Sequence, residues 1–443
     1  MPRSVVLMSI PGLRPQDVAG MPRLQALSAA GGMTPLTPTF PAVTWTVQAN
    51  LATGVGPGEH GVVANGLYHR DTGEVEMWTA WNSCLQAPQL WERLHARDPS
   101  WTSMVWFPLL SKGADAEYAC VPAPRHNPDG TETMWCYTKP EGLYARLLDR
   151  LGHFPLINFW GPLANIRSTD WIVDSAVMAA GEYRPRFTFL YLMHLDYAAQ
   201  KYGPDSPQAV AAVGELDAAI GRLIDGYSAA GLDDVLWLAA SEYVITEVTS
   251  VAYPNRLLRQ AGLLTPCVQQ DREELRPADV RAWALVDHQF AHVYVRDPRD
   301  VPRAAAVLRE GAHIEQVLVG AERAAVGLDH PRAGEIVLIA DPAAWFAYYW
   351  WLDDARAPAF ARTVDIHRKP GYDPVELFID MPSRQTPLNA ALVKGSHGYP
   401  ATEACRRGVL IASDGSALQG VSGEGLRDTD VAGLVMAQFG IGR

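Results

Sequence analysis

Cysteine is the first shortage. The 443-residue chain has five: Cys84, Cys120, Cys136, Cys267 and Cys405. The count is odd and no pair has Cys-x-x-Cys spacing, so neither a disulfide framework nor a thiolate zinc site is expected. Reduced, buried thiols are the expectation instead. Positive charge is also short: 37 Lys and Arg against 49 Asp and Glu leave a net charge of −12. A nucleic-acid surface needs basic patches to neutralise phosphates, so no nucleic-acid partner is expected. A local site can oppose the global sign, which leaves room for a small anionic substrate. Long apolar runs are absent. The "SVVLMSI" stretch before Pro11 is too short for a signal or membrane span. The expectation is therefore a cytoplasmic chain with no membrane partner.

Several motifs are missing too. No Gly-x-x-x-x-Gly-Lys-Ser/Thr loop occurs, which disfavours P-loop chemistry. "TGVGPGEHG" is rich in glycine, but Pro57 and its spacing spoil a dinucleotide fingerprint. There is no Gly-x-Ser-x-Gly elbow for an α/β-hydrolase triad, and no His-Glu-x-x-His.

What is present is alternation. Val5 to Ile10 reads as a buried strand, and "MPRLQALSAAGG" as a helix closed by glycines. A helix is expected from Thr46 to Thr53. "TSMVWF" and "PLINFW" read as short strands. "STDWIVDSAVMAAGEY" reads as a helix capped by Ser168 or Thr169. "RFTFLYLMHLD" and "DVLWLAASEY" are apolar on both faces, as parallel sheets require, with the helix "SPQAVAAVGELDAAIGRLIDGYSAAG" between them. Strand and helix keep alternating up to Leu264, which argues for a doubly wound, mostly parallel sheet. The rhythm then changes. "HQFAHVYVRD", "DVPRAAAVLRE" and "HIEQVLVG" read as a small inserted β-α-β unit, and "RRGVLIASDGS" as a return to the main sheet. The expected division is a core over 1–279, an inserted cap with an aromatic and histidine-rich loop region over 280–385, and a core again over 386–443.

In open parallel sheets, functional residues gather beyond the carboxyl ends of strands. Asp196, the pair Glu242 and Tyr243, and the loop holding Thr44 fall at such ends. Taken in order, "SIPGLRP", "FPAVTWTVQANLATGVGPGEHGVVANG", "LDYAAQKYGPDSP", "AASEYVIT" and "VKGSHGYP" resemble the alkaline phosphatase superfamily. The branch is that of nucleotide pyrophosphatases/phosphodiesterases and phosphonoacetate-hydrolase-like enzymes. The resemblance implies an alkaline-phosphatase-like α/β core. It also implies phosphoryl transfer, in which a Thr nucleophile works with two metals that clamp the attacking and leaving oxygens. Thr44 matches the nucleophile, Asp196 and His397 match ligands of one metal, and Glu242 falls at an aspartate ligand of the second.

The departures matter as much. Pro11 stands where the resemblance expects a ligand aspartate, Gln200 where it expects a histidine, and Tyr243 where it expects another. An amide is a poor zinc ligand. A two-metal centre is not expected; the alternatives are one divalent ion, zinc or manganese, held by Asp196, Glu242 and His397, or none. Without metal, Thr44 needs a base. His194 stands two residues before Asp196 and on a strand would face the same way. Gln200, Tyr243, Asn65, His288, His367 and Arg368 are the candidate substrate contacts. His288 and His292 in "DHQFAH" have the i, i+4 spacing of a helical ligand pair. In "VDIHRKPGYDP", Arg368 is either a phosphate contact or part of an ion-paired loop. Three functions follow. The first is a phosphoric ester, diester or phosphonate hydrolase with a degenerate metal site. The second is a metal-independent lyase, cyclase or isomerase in small-molecule biosynthesis. The third is a non-catalytic binding protein. Each requires Thr44, Asp196 and His397 to meet in one cavity; oligomeric state is left open.

Overall fold

Apolar residues on both faces of a strand must be covered from both sides, and the first strand shows how. The computed structural model describes residues 3–126 and 132–442. β1 (Ser4–Ile10) sends Val5 and Leu7 into one core, with Val47 and Leu51 of a helix, and Val6 and Met8 into another, with Leu24, Ile172 and Leu216. The main sheet continues with β2 (Gly32–Thr37), β3 (Ser103–Trp106), β4 (Tyr118–Pro122), β5 (Cys136–Lys139), β6 (Phe187–Tyr191) and β7 (Val235–Ser241). A second sheet follows: β8 (Ala282–Asp287), β9 (Phe290–Val295), β10 (Ile314–Val319) and β11 (Ile336–Ala340). β12 (Gly408–Ala412) and β13 (Leu426–Arg427) return to the first.

The nine strands of the main sheet run in the order β13-β2-β12-β7-β1-β6-β3-β4-β5. β7, β1, β6, β3 and β4 are mutually parallel, while β12 is antiparallel to both its neighbours and β5 is antiparallel to β4. The architecture is α/β with a mostly parallel central sheet, as the alternation implied. The second sheet is ordered β8-β9-β11-β10 and is antiparallel throughout. Its β9-helix-β10 segment is the expected β-α-β unit, but β11 lies between the two strands. The unit is therefore split.

The helices that frame the site are α1 (Pro22–Ala30), α2 (Thr44–Thr53), α3 (Ile166–Tyr183), α4 (His194–Tyr202) and α5 (Pro207–Ala229). Four local expectations are corrected. "PLINFW" is a 3₁₀ turn at Leu156–Asn158, not a strand, because Pro155 starts a turn and Phe159 packs into Phe107 and Phe154. α3 is capped by Asn165, whose side chain accepts from Arg167 N, so neither Ser168 nor Thr169 is the cap. α2 starts at Thr44, two residues early. The apolar run "RFTFLYLMHLD" leaves the sheet at Tyr191 and becomes helical at His194. Among the described residues no helix is long and apolar enough to cross a membrane.

Candidate functional site

β7, β1 and β6 are adjacent, and their carboxyl ends are level: Ile10 pairs with Ser241, and Ser9 with Tyr191. The chain after each strand is thereby brought to one edge. β7 delivers Glu242 and Tyr243, and β6 delivers Asp196 on the first turn of α4. Thr44 reaches the same place as the first residue of α2, after an extended Val43 that supplies no side-chain cap.

These side chains touch. Thr44 Oγ1 lies 3.0 Å from the Tyr243 hydroxyl, which donates a long hydrogen bond of 3.4 Å to Asp196 Oδ1. Gln200 is one helical turn beyond Asp196, on the same face of α4. Its amide donates to Asp196 Oδ2 at 2.9 Å. The Tyr372 hydroxyl donates to Gln200 Oε1 at 2.6 Å. The polar chain therefore runs Thr44, Tyr243, Asp196, Gln200, Tyr372, and every member is buried.

Beside it stand four stacked rings. Tyr243 lies on His397 with centroids 3.5 Å apart and 6° between the planes. His397 meets His288 at 3.7 Å with the planes tilted by 37°, and His288 lies on Tyr372 at 3.8 Å. His397 arrives because Gly395 passes very close to α4: a Cβ there would stand 2.3 Å from Ala199 O. His397 Nδ1 donates to Ala42 O at 2.8 Å, and His288 Nδ1 to Asp287 Oδ1 at 2.7 Å. Asp287 also accepts from Asn65 N and Nδ2, at 2.8 and 3.0 Å, and Asn65 Oδ1 accepts from Trp45 N. Asn65 thus ties the second sheet to the start of α2. Glu242 Oε1 accepts from Ser9 Oγ at 2.7 Å and Gln48 Nε2 at 2.9 Å. Glu242 Oε2, His288 Nε2 and His397 Nε2 are buried with no hydrogen-bond partner.

Burial sets the charge state. It pushes the Asp196 carboxyl up to about 7, against the pull of Gln200 and Tyr243. It pushes Glu242 up to about 8, opposed by Ser9 and Gln48, and Asp287 up to about 6, opposed by Asn65. Both His288 and His397 are driven well below the usual imidazole range by desolvation, so they are neutral.

Thr44, Asp196 and His397 come together, all of them through Tyr243, but buried and packed in contact rather than around the expected cavity. The space between them is occupied by rings in van der Waals contact. Gln200, Tyr243, Asn65 and His288 belong to the same cluster. His194 is turned elsewhere: residues two apart on a helix do not share a face, and its Nε2 pairs with Glu215 at 2.6 Å. The strand premise that aligned it with Asp196 does not hold. His288 and His292 are not a helical pair either. His288 sits in the β8–β9 turn at φ +59, while His292, on β9, bonds Val63 O. His367 is exposed, with its Nδ1 on Met77 O, and Arg368 is exposed and ion-paired with Asp365. The neighbouring Lys369 is fully buried between Asp373 and Glu376. Sequence reasoning missed Tyr372, Asp287, Gln48 and Ser9. Only the sharp turn "PGYDP" around Tyr372 and the acid beside His288 gave any signal.

The donor set does not fit a metal centre. Among the described residues no group of three or more His, Cys, Asp or Glu side chains could hold an ion. Both Asp196 oxygens are engaged by Gln200 and Tyr243, and His397 is sandwiched between two rings. Glu242 Oε2, His288 Nε2 and His397 Nε2 are free, but a centre needs several donors converging on one point, and they form no such group among the described residues.

Residues 5–373 match the family model of type I phosphodiesterases and nucleotide pyrophosphatases. An uncharacterised pyrophosphatase/phosphodiesterase of Schizosaccharomyces pombe is 25% identical over 233 residues, or 52% of this chain. The match spans 42% of that relative's length. Phosphonoacetate hydrolase from Sinorhizobium meliloti 1021, solved with phosphonoformate, superposes with a TM-score of 0.62 at 19% identity, over 99% of this chain and 96% of that one. An inactive form of murine ectonucleotide pyrophosphatase/phosphodiesterase 5, solved with AMP, gives a TM-score of 0.63 at 15% identity, over 99% and 95%. At these identities the likeness establishes the fold.

Proposed function

Because the chain belongs to the type I phosphodiesterase and nucleotide pyrophosphatase family, we propose that it is a phosphoester hydrolase in which Thr44 is the attacking group. One observation carries this reading. Thr44 opens a buried helix, and its hydroxyl is held by Tyr243 at the edge where three parallel strands end. A helix N-terminus directs backbone N–H groups and positive potential toward an anion. Thr44 Oγ would form the new O–P bond as the ester O–P bond breaks, its proton passing to the leaving alkoxide; water would then attack phosphorus, break the Thr44 O–P bond, release phosphate and return a proton to Thr44. The substrate is a small anionic molecule, as the ligands of the structural neighbours are: phosphonoformate in one and AMP in the other. The metal half of the site is degenerate, and no step is routed through an ion. A cytoplasmic location completes the reading.

The test is turnover of bis(4-nitrophenyl) phosphate by the full chain and by Thr44→Ala. The variant should lose on the order of 10³-fold or more in kcat. Equal turnover by the two proteins would remove Thr44 from the reaction.

A second reading is metal-independent chemistry of the lyase, cyclase or isomerase kind. It is favoured by the filling of the site with neutral rings and buried acids.

A further inference from the structure

Two tyrosines stand at the ends of a four-ring stack, and one hydrogen-bonded bridge joins their hydroxyls. Tyr243 and Tyr372 enclose His397 and His288. The bridge runs from the Tyr243 hydroxyl to Asp196, across Gln200, and out to the Tyr372 hydroxyl. A ring of contacts is closed in this way from five distant segments of chain. Every polar atom of the bridge is used. Gln200 donates with its amide nitrogen and accepts with its oxygen, which joins the Asp196 end to the Tyr372 end.

We infer that this clasp has replaced the metal-binding half of the site, and that the Tyr243 hydroxyl, not a metal ion, orients Thr44. The inference rests on the reading of Thr44 as the attacking group. The direction of the hydrogen bonds supports it. With Asp196 ionised, the Tyr243 proton goes to Asp196 and Thr44 is the donor at the 3.0 Å contact. That leaves the Thr44 lone pairs free for an incoming phosphorus atom. Sterics point the same way. Stacking at 3.5–3.8 Å leaves no room between the rings for an ion and its ligand sphere. The Asp196 oxygens are both committed to the bridge. Residues 200 and 243 are two of the three places where the sequence departs from the expected ligands, Pro11 being the third. Those two side chains close the clasp, so both departures have one explanation.

The test has two readouts. The full chain, purified without chelator, is incubated with zinc or manganese, dialysed against metal-free buffer and analysed for metal. The clasp requires that well under one equivalent of either ion be retained. An equivalent or more held through dialysis overturns it. Tyr243→Phe keeps the ring and removes the hydroxyl. It should lower kcat on bis(4-nitrophenyl) phosphate by about 10²-fold, the scale of a misplaced reacting group, with KM little changed. Unchanged kcat, or an equal rise in KM, overturns the orienting role. A Gln200→His/Tyr243→His double variant, which opens the stack and supplies imidazoles beside Asp196, should retain zinc where the parent does not. If that variant fails to fold, metal content of the parent and kinetics of Tyr243→Phe still decide. If the parent is metal-free yet inert toward the diester, the hydrolase reading fails and the replacement of the metal site stands.

Discussion

The Tyr243 ring lies flat against His397, 3.5 Å away and 6° from parallel, while its hydroxyl reaches Thr44 at 3.0 Å. One side chain thus performs two tasks. Its face fills space beside an imidazole, and its edge holds a hydroxyl from another helix. The consequences can be measured away from activity as well as through it.

Tyr372→Phe removes one oxygen atom and little else. It leaves Gln200 Oε1 buried without the 2.6 Å donor it now has. An unsatisfied buried acceptor costs about 1–3 kcal/mol. Urea unfolding should show a loss in that range with an unchanged m-value. No loss would mean that the bridge carries no strain-free hydrogen bond at that end.

Lys369 and Arg368 are adjacent, yet their replacement should differ sharply. Lys369 is fully buried, 2.8 Å from Asp373 and 2.6 Å from Glu376. Lys369→Met strands two buried acids, a change worth about 3–5 kcal/mol. Arg368 is exposed beside Asp365, and Arg368→Ala should cost no more than about 1 kcal/mol. Thermal melts of the two variants in one buffer decide the matter; similar melting points would contradict the burial of Lys369.

Glu242 gives a pH signature. Its folded pKa of about 8 lies above the value of an exposed glutamate, because burial outweighs Ser9 and Gln48. The folded state therefore holds its proton more tightly than the unfolded chain. The stabilisation is complete below the unfolded value and is lost as pH climbs through the folded one. Asp196, at about 7, behaves alike. Relative to the parent, Glu242→Gln should gain stability steadily from pH 5 to pH 8. A pH-independent difference between the two proteins would show that Glu242 is not a buried acid.

Much of the fold could be read from the chain because it depends on local pattern. The two-sided apolar strands and the helices between them fix a parallel sheet wherever the chain runs. The errors arose where local pattern and sheet geometry compete. In "RFTFLYLMHLD" the apolar character continues past Tyr191, but β6 has no neighbour to pair with beyond the sheet edge. The backbone satisfies its hydrogen bonds by turning helical at His194. That turn moved His194 to Glu215 and left Asp196 facing Tyr243. Arg368 carried a motif-like signal, yet its guanidinium is spent on Asp365.

The sequence by itself determined that Asp196 and the pair Glu242 and Tyr243 would stand at the ends of parallel strands, because strand polarity and helix return follow from alternation; the imidazole of His397 was placed beside them only by the resemblance. The sequence could not determine what lies between them. Tyr372 and Gln200 are 172 residues apart, and no periodicity links them. The stack of Tyr243, His397, His288 and Tyr372 exists only because the second sheet and the loop after it fold back over the first. Contacts between segments that distant are chosen by shape and hydrogen-bond satisfaction in the closed structure, and only the tertiary fold decides them.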